Sequence, residues 1–392
     1  MIIGFDKTIL REPLTGIGYY TYFLMRHLLR LEADLDLRLY DGLRMRSSSC
    51  LSQRSGLPQT TSYSIKAYIT QTLRGNSGFR ALWRQIKAMR FHQASGQVDL
   101  FHATNYLPPS PAGVPVLPLI HDVSHLRHPE WHPPERVKWL EARAHEFQAA
   151  PLIHTVSEFS AGEIAETLGI ARERIHITYP GVNPIYRQVG AADPTVLQRF
   201  DLKSGRFFLC VGTLEPRKNL ATVIEAYARL PRNLQARYPL LIVGPKGWGS
   251  LNLPRATDRL VDRGVVRFLG YLDESLMRTL YRDCAAFLFP SRYEGFGMPV
   301  SEAMATGTRP LIAEGGAPEE VAGACGLALP ATDPDRWTLA LLTAIDEDWH
   351  ANMPLRHQLT NASLRYDWSR NARETRDLYQ LLLTTREDTP ND

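Results

Sequence analysis

Five near-continuous apolar runs in the second half of the chain constrain its fold more than any other feature: FFLCVGT (207–213), PLLIVG (239–244), VVRFLG (265–270), AAFLFP (285–290) and RPLIA (309–313). A strand wet on one face alternates apolar with polar residues. These runs do not alternate, so they predict strands buried on both faces. Segments of helical periodicity lie between them, and strands alternating with helices predict a parallel sheet with right-handed crossovers. In such open sheets ligands bind beyond the carboxyl ends of the strands, so function is sought in the residues that follow each run.

The first half shows the same alternation less cleanly. MIIGFD, LDLRLYD, DLFHA, VPVLPLIHD, LIHTVS and RIHITYPG read as strands. Helices are predicted at Gly16–Leu31, Phe79–His92 and Pro133–Ala149, and another opens at Ser157, with Ser157 or Ser160 as its cap and Glu163 three residues after Ser160. GVNPIYRQVGAADPTVL (181–197) reads as a linker. The fold class expected is α/β, with two doubly wound, Rossmann-like domains facing across a cleft.

At 392 residues, 44% hydrophobic and 22% charged, the chain is neither fibrous nor mainly disordered. No apolar run reaches the roughly 18–20 residues that span a bilayer, and the N-terminus lacks signal-peptide features, so a cytoplasmic location is expected. Cys50, Cys210, Cys284 and Cys325 are scattered without CxxC spacing, which argues against a disulfide framework or a zinc module. Charge is uneven. Between Gly42 and Val98 there are nine Lys and Arg and no Asp or Glu, while the rest of the chain is net acidic. A segment so polarised suits an anionic partner, and Phe79, Leu82, Trp83, Ile86 and Met89 at helical spacing among Arg80, Arg84, Lys87 and Arg90 fit an anionic membrane surface. The bland alternative is that this stripe packs on its own sheet. Aromatic residues among the cations also leave nucleic acid open as a partner of a different class of protein, though none is expected.

Two constellations follow apolar runs. Glu215-Pro216-Arg217-Lys218-Asn219 comes after FFLCVGT and before a helix, which puts two cations and free backbone N–H groups in one place, as a diphosphate requires. A merely basic surface turn would read the same way. After AAFLFP comes Ser291-Arg292-Tyr293-Glu294-Gly295-Phe296-Gly297-Met298-Pro299-Val300-Ser301-Glu302. Here glycines permit close backbone approach, and two carboxylates can accept hydrogen bonds from sugar hydroxyls. Glu302 alone could simply complement a helix dipole. TGIGYYT (15–21) misses the dinucleotide fingerprint at its third glycine, and no P-loop occurs. His121, Asp122, His125, His128 and His132 could ligate a metal by residue type, but no metal is expected.

These residues carry a resemblance. Glu294 and Glu302 frame an E-x₇-E pattern preceded by Pro-Ser and followed by A-M-A-x-G, which resembles the donor-site signature of retaining glycosyltransferase family 4, of GT-B fold. GTLEPRKN (212–219), VGPKG (243–247) and VRFLGYL (266–272) resemble the same family in the same order. In the first half Gly16 and Gly18 match the family's glycine loop and Ile120-His121-Asp122 its H-D, while FHATNY (101–106) followed by prolines resembles the branch that transfers mannose or related deoxyhexoses.

The resemblance implies an acceptor-binding domain over 1–185 carrying the basic insertion 42–98, a donor-binding domain over 186–365, and a helix and tail over 366–392 that cross back to the first domain. It implies that Arg217 and Lys218 hold the donor diphosphate, that Glu294 contacts the transferred sugar and that Glu302 contacts the ribose. His121 would face the reacting sugar. Gly212, Thr213, Gly295, Phe296, Gly297 and Met298 would supply contacts to the donor, Gly16 and Gly18 would approach the diphosphate or acceptor, and Gly270 and Tyr271 would lie at the nucleobase. The expected activity is metal-independent, retaining hexosyl transfer. The donor is a nucleotide diphosphate sugar, first GDP-mannose and then GDP- or dTDP-linked rhamnose, and the acceptor is a glycan or lipid-linked glycan of surface polysaccharide synthesis. A GT-B nucleotide-sugar epimerase, which needs no acceptor, is the alternative enzyme.

Overall fold

The structure is a computed structural model that describes residues 1–10, 14, 16–31, 35–42, 44–48, 77–110, 112–188 and 193–387, without the side chains of 77–84 and 386–387. Cys50 and most of the basic insertion lie outside the described residues. So do the tail 388–392 and the side chains of Phe79, Arg80, Leu82, Trp83 and Arg84.

The first sheet is built from β1 (Ile2–Asp6), β2 (Asp36–Tyr40), β3 (Met45–Ser47), β4 (Leu100–Ala103) and β5 (Val116–Pro118) in the order β3-β2-β1-β4-β5. All pairs are parallel except β2 with β3. Helix α1 (Gly16–Leu31) crosses from β1 to β2, and α2 (Ser77–Ser95) precedes β4. A two-stranded parallel ladder, β6 (Ile153–Thr155) with β7 (Ile175–Ile177), joins the sheet edge through a bridge from Leu119 to His154. Between them runs α3 (Glu158–Leu168), capped by the Ser157 hydroxyl, which accepts from the Ser160 N–H. Glu163 is not part of that cap and pairs instead with Arg127.

The second sheet holds β8 (Phe208–Val211), β9 (Leu240–Val243), β10 (Val266–Gly270), β11 (Ala286–Phe289), β12 (Pro310–Ala313) and β13 (Leu327–Leu329), all parallel, in the order β10-β9-β8-β11-β12-β13. β9, β11 and β12 are buried at every residue, as their unbroken apolar sequences require. Helix α4 (Leu220–Ala228) follows β8, α5 (Glu274–Asp283) follows β10, and α6 (Met298–Ala305) follows β11. The closing helix α7 (Trp368–Glu387) lies along α1, with Trp368 stacked on Phe23 at 5.4 Å.

Four sequence expectations need correction. VVRFLG is not buried on both faces: β10 is a sheet edge, and Phe268 is half exposed. β13 was not expected, because its three residues are too few to show a period. The helix expected over Pro133–Ala149 is two helices, Pro134–Glu141 and Ala144–Ala149, broken where Arg143 turns to bond the Pro108 carbonyl. The segment 181–197 is packed in part: Asn183 caps a 3-10 turn and Tyr186 is buried edge-on against Tyr281, while Pro184, Gln188 and Asp193 to Thr195 are exposed.

Candidate active site

The carboxyl ends of β8 and β11 lie side by side, so the segments that follow them meet. Pro216–Lys218 forms a 3-10 turn after β8. From it Arg217 donates through Nη1 to Glu294 Oε2 at 2.6 Å and to the Tyr293 carbonyl at 3.0 Å, and Lys218 Nζ donates to Glu294 Oε1. Glu215 Oε1 stands 2.5 Å from Arg217 Nε, and both of its oxygens are buried. Burial disfavours the Glu294 charge, but Arg217 and Lys218 outweigh it and hold the carboxyl below its ordinary range. For Glu215 burial wins and pushes the carboxyl up.

Eight residues after Glu294, on α6, Glu302 sits in the opposite electrostatic setting. It accepts from Tyr281 at 3.0 Å. Burial first, and then the neighbouring Glu274, push its carboxyl up to about 8. Glu274, at the start of α5, is itself pushed up to about 7 by burial, and Asn183 donates to it. Across the cleft the Tyr19 hydroxyl of α1 meets that of Tyr271 at 3.1 Å.

From the first domain, His121 and Asp122 face this arrangement. The His121 ring donates from Nε2 to the Thr104 carbonyl at 2.9 Å, which leaves Nδ1 as the acceptor, and Tyr20 packs edge-on at 5.3 Å. Burial lowers the His121 pKa, against the opposing pull of the Thr104 carbonyl and Asp122, and so favours the neutral ring. Asp122 accepts from the Ser124 amide and hydroxyl. Burial opposes its charge, but Arg217 across the cleft and these bonds hold it down at about 2.

The backbones of the two domains touch here. A Cβ on Gly295 would lie 1.9 Å from the His121 carbonyl oxygen, so only glycine fits. Gly297 caps α6 in the left-handed region at φ 98° and turns the chain so that the helix N-terminus opens into the cleft. Among the described residues the N–H groups of Phe296 and Gly297 have no partner in the chain.

The structure thus brings together Arg217, Lys218, Glu294, Gly295, Phe296, Gly297, Met298 and His121. Gly16 opens α1 against Met298, so two helix N-termini converge. Gly212 lies against the Lys218 side chain at the end of β8, and Thr213 faces Gly247. Glu302 joins Gly270 and Tyr271 on the other side through Glu274 and Tyr19. Gly18 is apart: it packs on Leu14 and the Ile9 carbonyl. Sequence reasoning missed Glu215, Glu274 and Tyr19. A carboxylate opening a helix looks like a dipole partner, and a Tyr at helical spacing looks like core, so neither carried a signal of its own.

Two doubly wound domains meeting over paired cations and a helix N-terminus define a glycosyltransferase of GT-B fold. Residues 14–185 match the family model for glycosyltransferase family 4 and residues 198–372 that for glycosyl transferases group 1. The chain belongs to glycosyltransferase family 4. It is 30% identical over 395 residues to the O-antigen chain mannosyltransferase B of Escherichia coli, covering 97% of this chain and 100% of that one. A serotype-specific mannosyltransferase WbdA of Escherichia coli is 33% identical over 171 residues, 42% of this chain and 21% of that one. In fold it is similar to Anabaena HepE in complex with UDP and glucose, with a TM-score of 0.70, 16% identity and coverage of 97% and 99%. It is also similar to WaaG, a glycosyltransferase involved in lipopolysaccharide biosynthesis, with a TM-score of 0.60, 18% identity and coverage of 98% of each chain.

Proposed function

We propose that this glycosyltransferase moves mannose from GDP-mannose to a glycan or lipid-linked glycan in surface polysaccharide synthesis, with retention and without a metal. The observation that carries the reading is the convergence of Arg217 and Lys218 on Glu294 opposite His121. Likeness along the whole chain to an O-antigen chain mannosyltransferase supports the choice of mannose. Residues 1–185 bind the acceptor, 186–365 bind the donor, and 366–392 close the molecule. Charge growing on the departing diphosphate is met by Arg217, Lys218 and the N-terminus of α6. Glu294 accepts from hydroxyls of the sugar, Glu302 from those of the ribose, and Gly270 and Tyr271 border the base. Because both Glu294 oxygens are engaged by cations, it does not act as a glycosidase-type nucleophile. The acceptor hydroxyl attacks the face the diphosphate leaves and passes its proton to a departing phosphate oxygen.

Incubation with GDP-mannose and a mannose-terminated acceptor, followed by NMR of the product linkage, tests the reading. Retained configuration with chelator present is expected; inversion, or dependence on an added divalent ion, overturns the corresponding part. A thermal-shift panel should favour GDP over UDP and dTDP, since a bound ligand stabilises by mass action.

Reversible attachment to the inner face of the cytoplasmic membrane is part of the same proposal. On α2, Phe91 and Ala94 are buried against the first sheet, while Met89 is 64% exposed and Lys87 and Arg90 point outward. No helix among the described residues is long and apolar enough to cross a membrane. Sedimentation with anionic but not neutral vesicles is expected, weakened by salt and by changing Arg80, Arg84 and Lys87 together to Glu.

A further inference from the structure

Two buried serines at the start of α3 tie the two sides of the cleft together at the candidate reaction centre. The Ser157 hydroxyl, which caps α3, donates to the Gly295 carbonyl at 2.6 Å. The Ser160 hydroxyl lies 2.9 Å from that same carbonyl and 2.9 Å from the carbonyl of His121, and shares its proton between them. Both serines are fully buried. One hydroxyl thus bridges the backbone of the histidine facing the sugar and the backbone of the donor-side glycine loop, at the point where a methyl group could not be inserted.

The consequence is directional. In a trans peptide the carbonyl and the following N–H point opposite ways. With the Gly295 carbonyl held toward α3 by two hydroxyls, the Phe296 N–H points away from α3, unpartnered, on the donor side. His121 is fixed at both ends, its carbonyl by Ser160 and its ring by Thr104.

We propose that Ser160, backed by Ser157, is a positioning residue for transfer: it aims the Phe296 N–H and holds His121 in register with it. This rests on the donor-site reading above. The bridge acts on the groups around the sugar and not on Arg217, Lys218 or Glu302, so it should affect turnover and leave nucleotide binding alone.

Ser160→Ala is the clean probe, because the Ser160 N–H still donates to the Ser157 cap. With GDP-mannose and acceptor, kcat should fall about tenfold, one well-aimed hydrogen bond's worth. The donor KM and the affinity for GDP should stay within about twofold, since the aimed N–H gains its strength only as charge develops in the transition state. Ser160→Cys keeps a donor-bearing side chain of the same connectivity but replaces a strong donor with a weak one, and should be as slow as Ala. Wild-type turnover in either variant would overturn the proposal, as would loss of GDP affinity in step with kcat or a collapse of Tm that explains the lost activity. If the wild-type chain binds GDP and transfers from no nucleotide sugar, the donor-site reading fails and this inference with it, an outcome distinct from a silent Ser160 in an active enzyme.

Discussion

Glu294 and Glu302 belong to one signature, yet the regions around them are electrostatic opposites. Glu294 lies between Arg217 and Lys218 and stays ionised although buried. Among the described residues Glu302 has no cation beside it, only Glu274 and tyrosine hydroxyls, and its carboxyl is pushed up to about 8. The difference teaches that neighbours, not residue type or spacing, decide what each carboxylate can do. A charged acceptor pinned by cations suits a site where negative charge grows and moves; a carboxyl that titrates near pH 8 is ionised more readily when ribose hydroxyls donate to it.

The largest effect should come from the cationic side. Lys218→Ala leaves Glu294 paired with Arg217 and should lower kcat by about 10²–10³, the scale for one preorganised donor. Arg217→Ala should do at least as much, and it also strands the buried Glu215, so Tm should fall as well, by the equivalent of up to about 3 kcal/mol. Either variant retaining more than half of wild-type turnover removes that cation from the role. Next, Glu294→Gln should cut transfer about 10- to 100-fold by losing charge-assisted acceptance from the sugar. Because the carboxylate it removes neutralises the phosphate-binding cations, GDP should bind this variant at least as tightly as wild type.

Smaller effects lie on the Glu302 side. If ribose hydroxyls prefer the ionised carboxylate, GDP binding releases a proton, and affinity should rise by about three- to tenfold between pH 6 and pH 8. Glu302→Gln should flatten that profile, and a pH-independent wild type would remove the ribose role. The smallest effect is on stability. Glu302 is pushed up to about 8 in the fold, while the unfolded chain releases its proton near about 4.3. Its contribution is therefore complete below that lower pKa and is lost as pH climbs to 8. Glu302→Gln should gain in Tm over the wild type as pH rises from 5 to 8, by several °C at pH 8.

The fold was legible where strands are long and wholly buried. β9, β11 and β12 announce themselves because no polar residue interrupts them. β13 did not, since three residues carry no period, and VVRFLG misled because an edge strand can be as apolar in sequence as a central one. Within the candidate site, Arg217, Lys218 and Glu294 stood out because they follow buried strands, where open sheets bind ligands, and Glu302 because of its spacing from Glu294. Their grouping was legible through the resemblance, but the exchange of charge among them was not. Glu215 and Glu274 act through partners 2 and 91 residues away, Arg217 and Asn183, and only the folded chain brings the more distant pair together. Ser157 or Ser160 read as the helix cap; that Ser157 is the cap, while the Ser160 hydroxyl reaches the His121 carbonyl and, across the domain boundary, that of Gly295, is a property of tertiary contact alone.

Calorimetric titration of GDP into Glu294→Gln and Glu302→Gln, side by side at pH 8 and low salt, tests the central contrast most directly. Affinity equal to or tighter than wild type is expected for Glu294→Gln, and affinity about tenfold weaker for Glu302→Gln. Equal losses in the two variants would contradict the account.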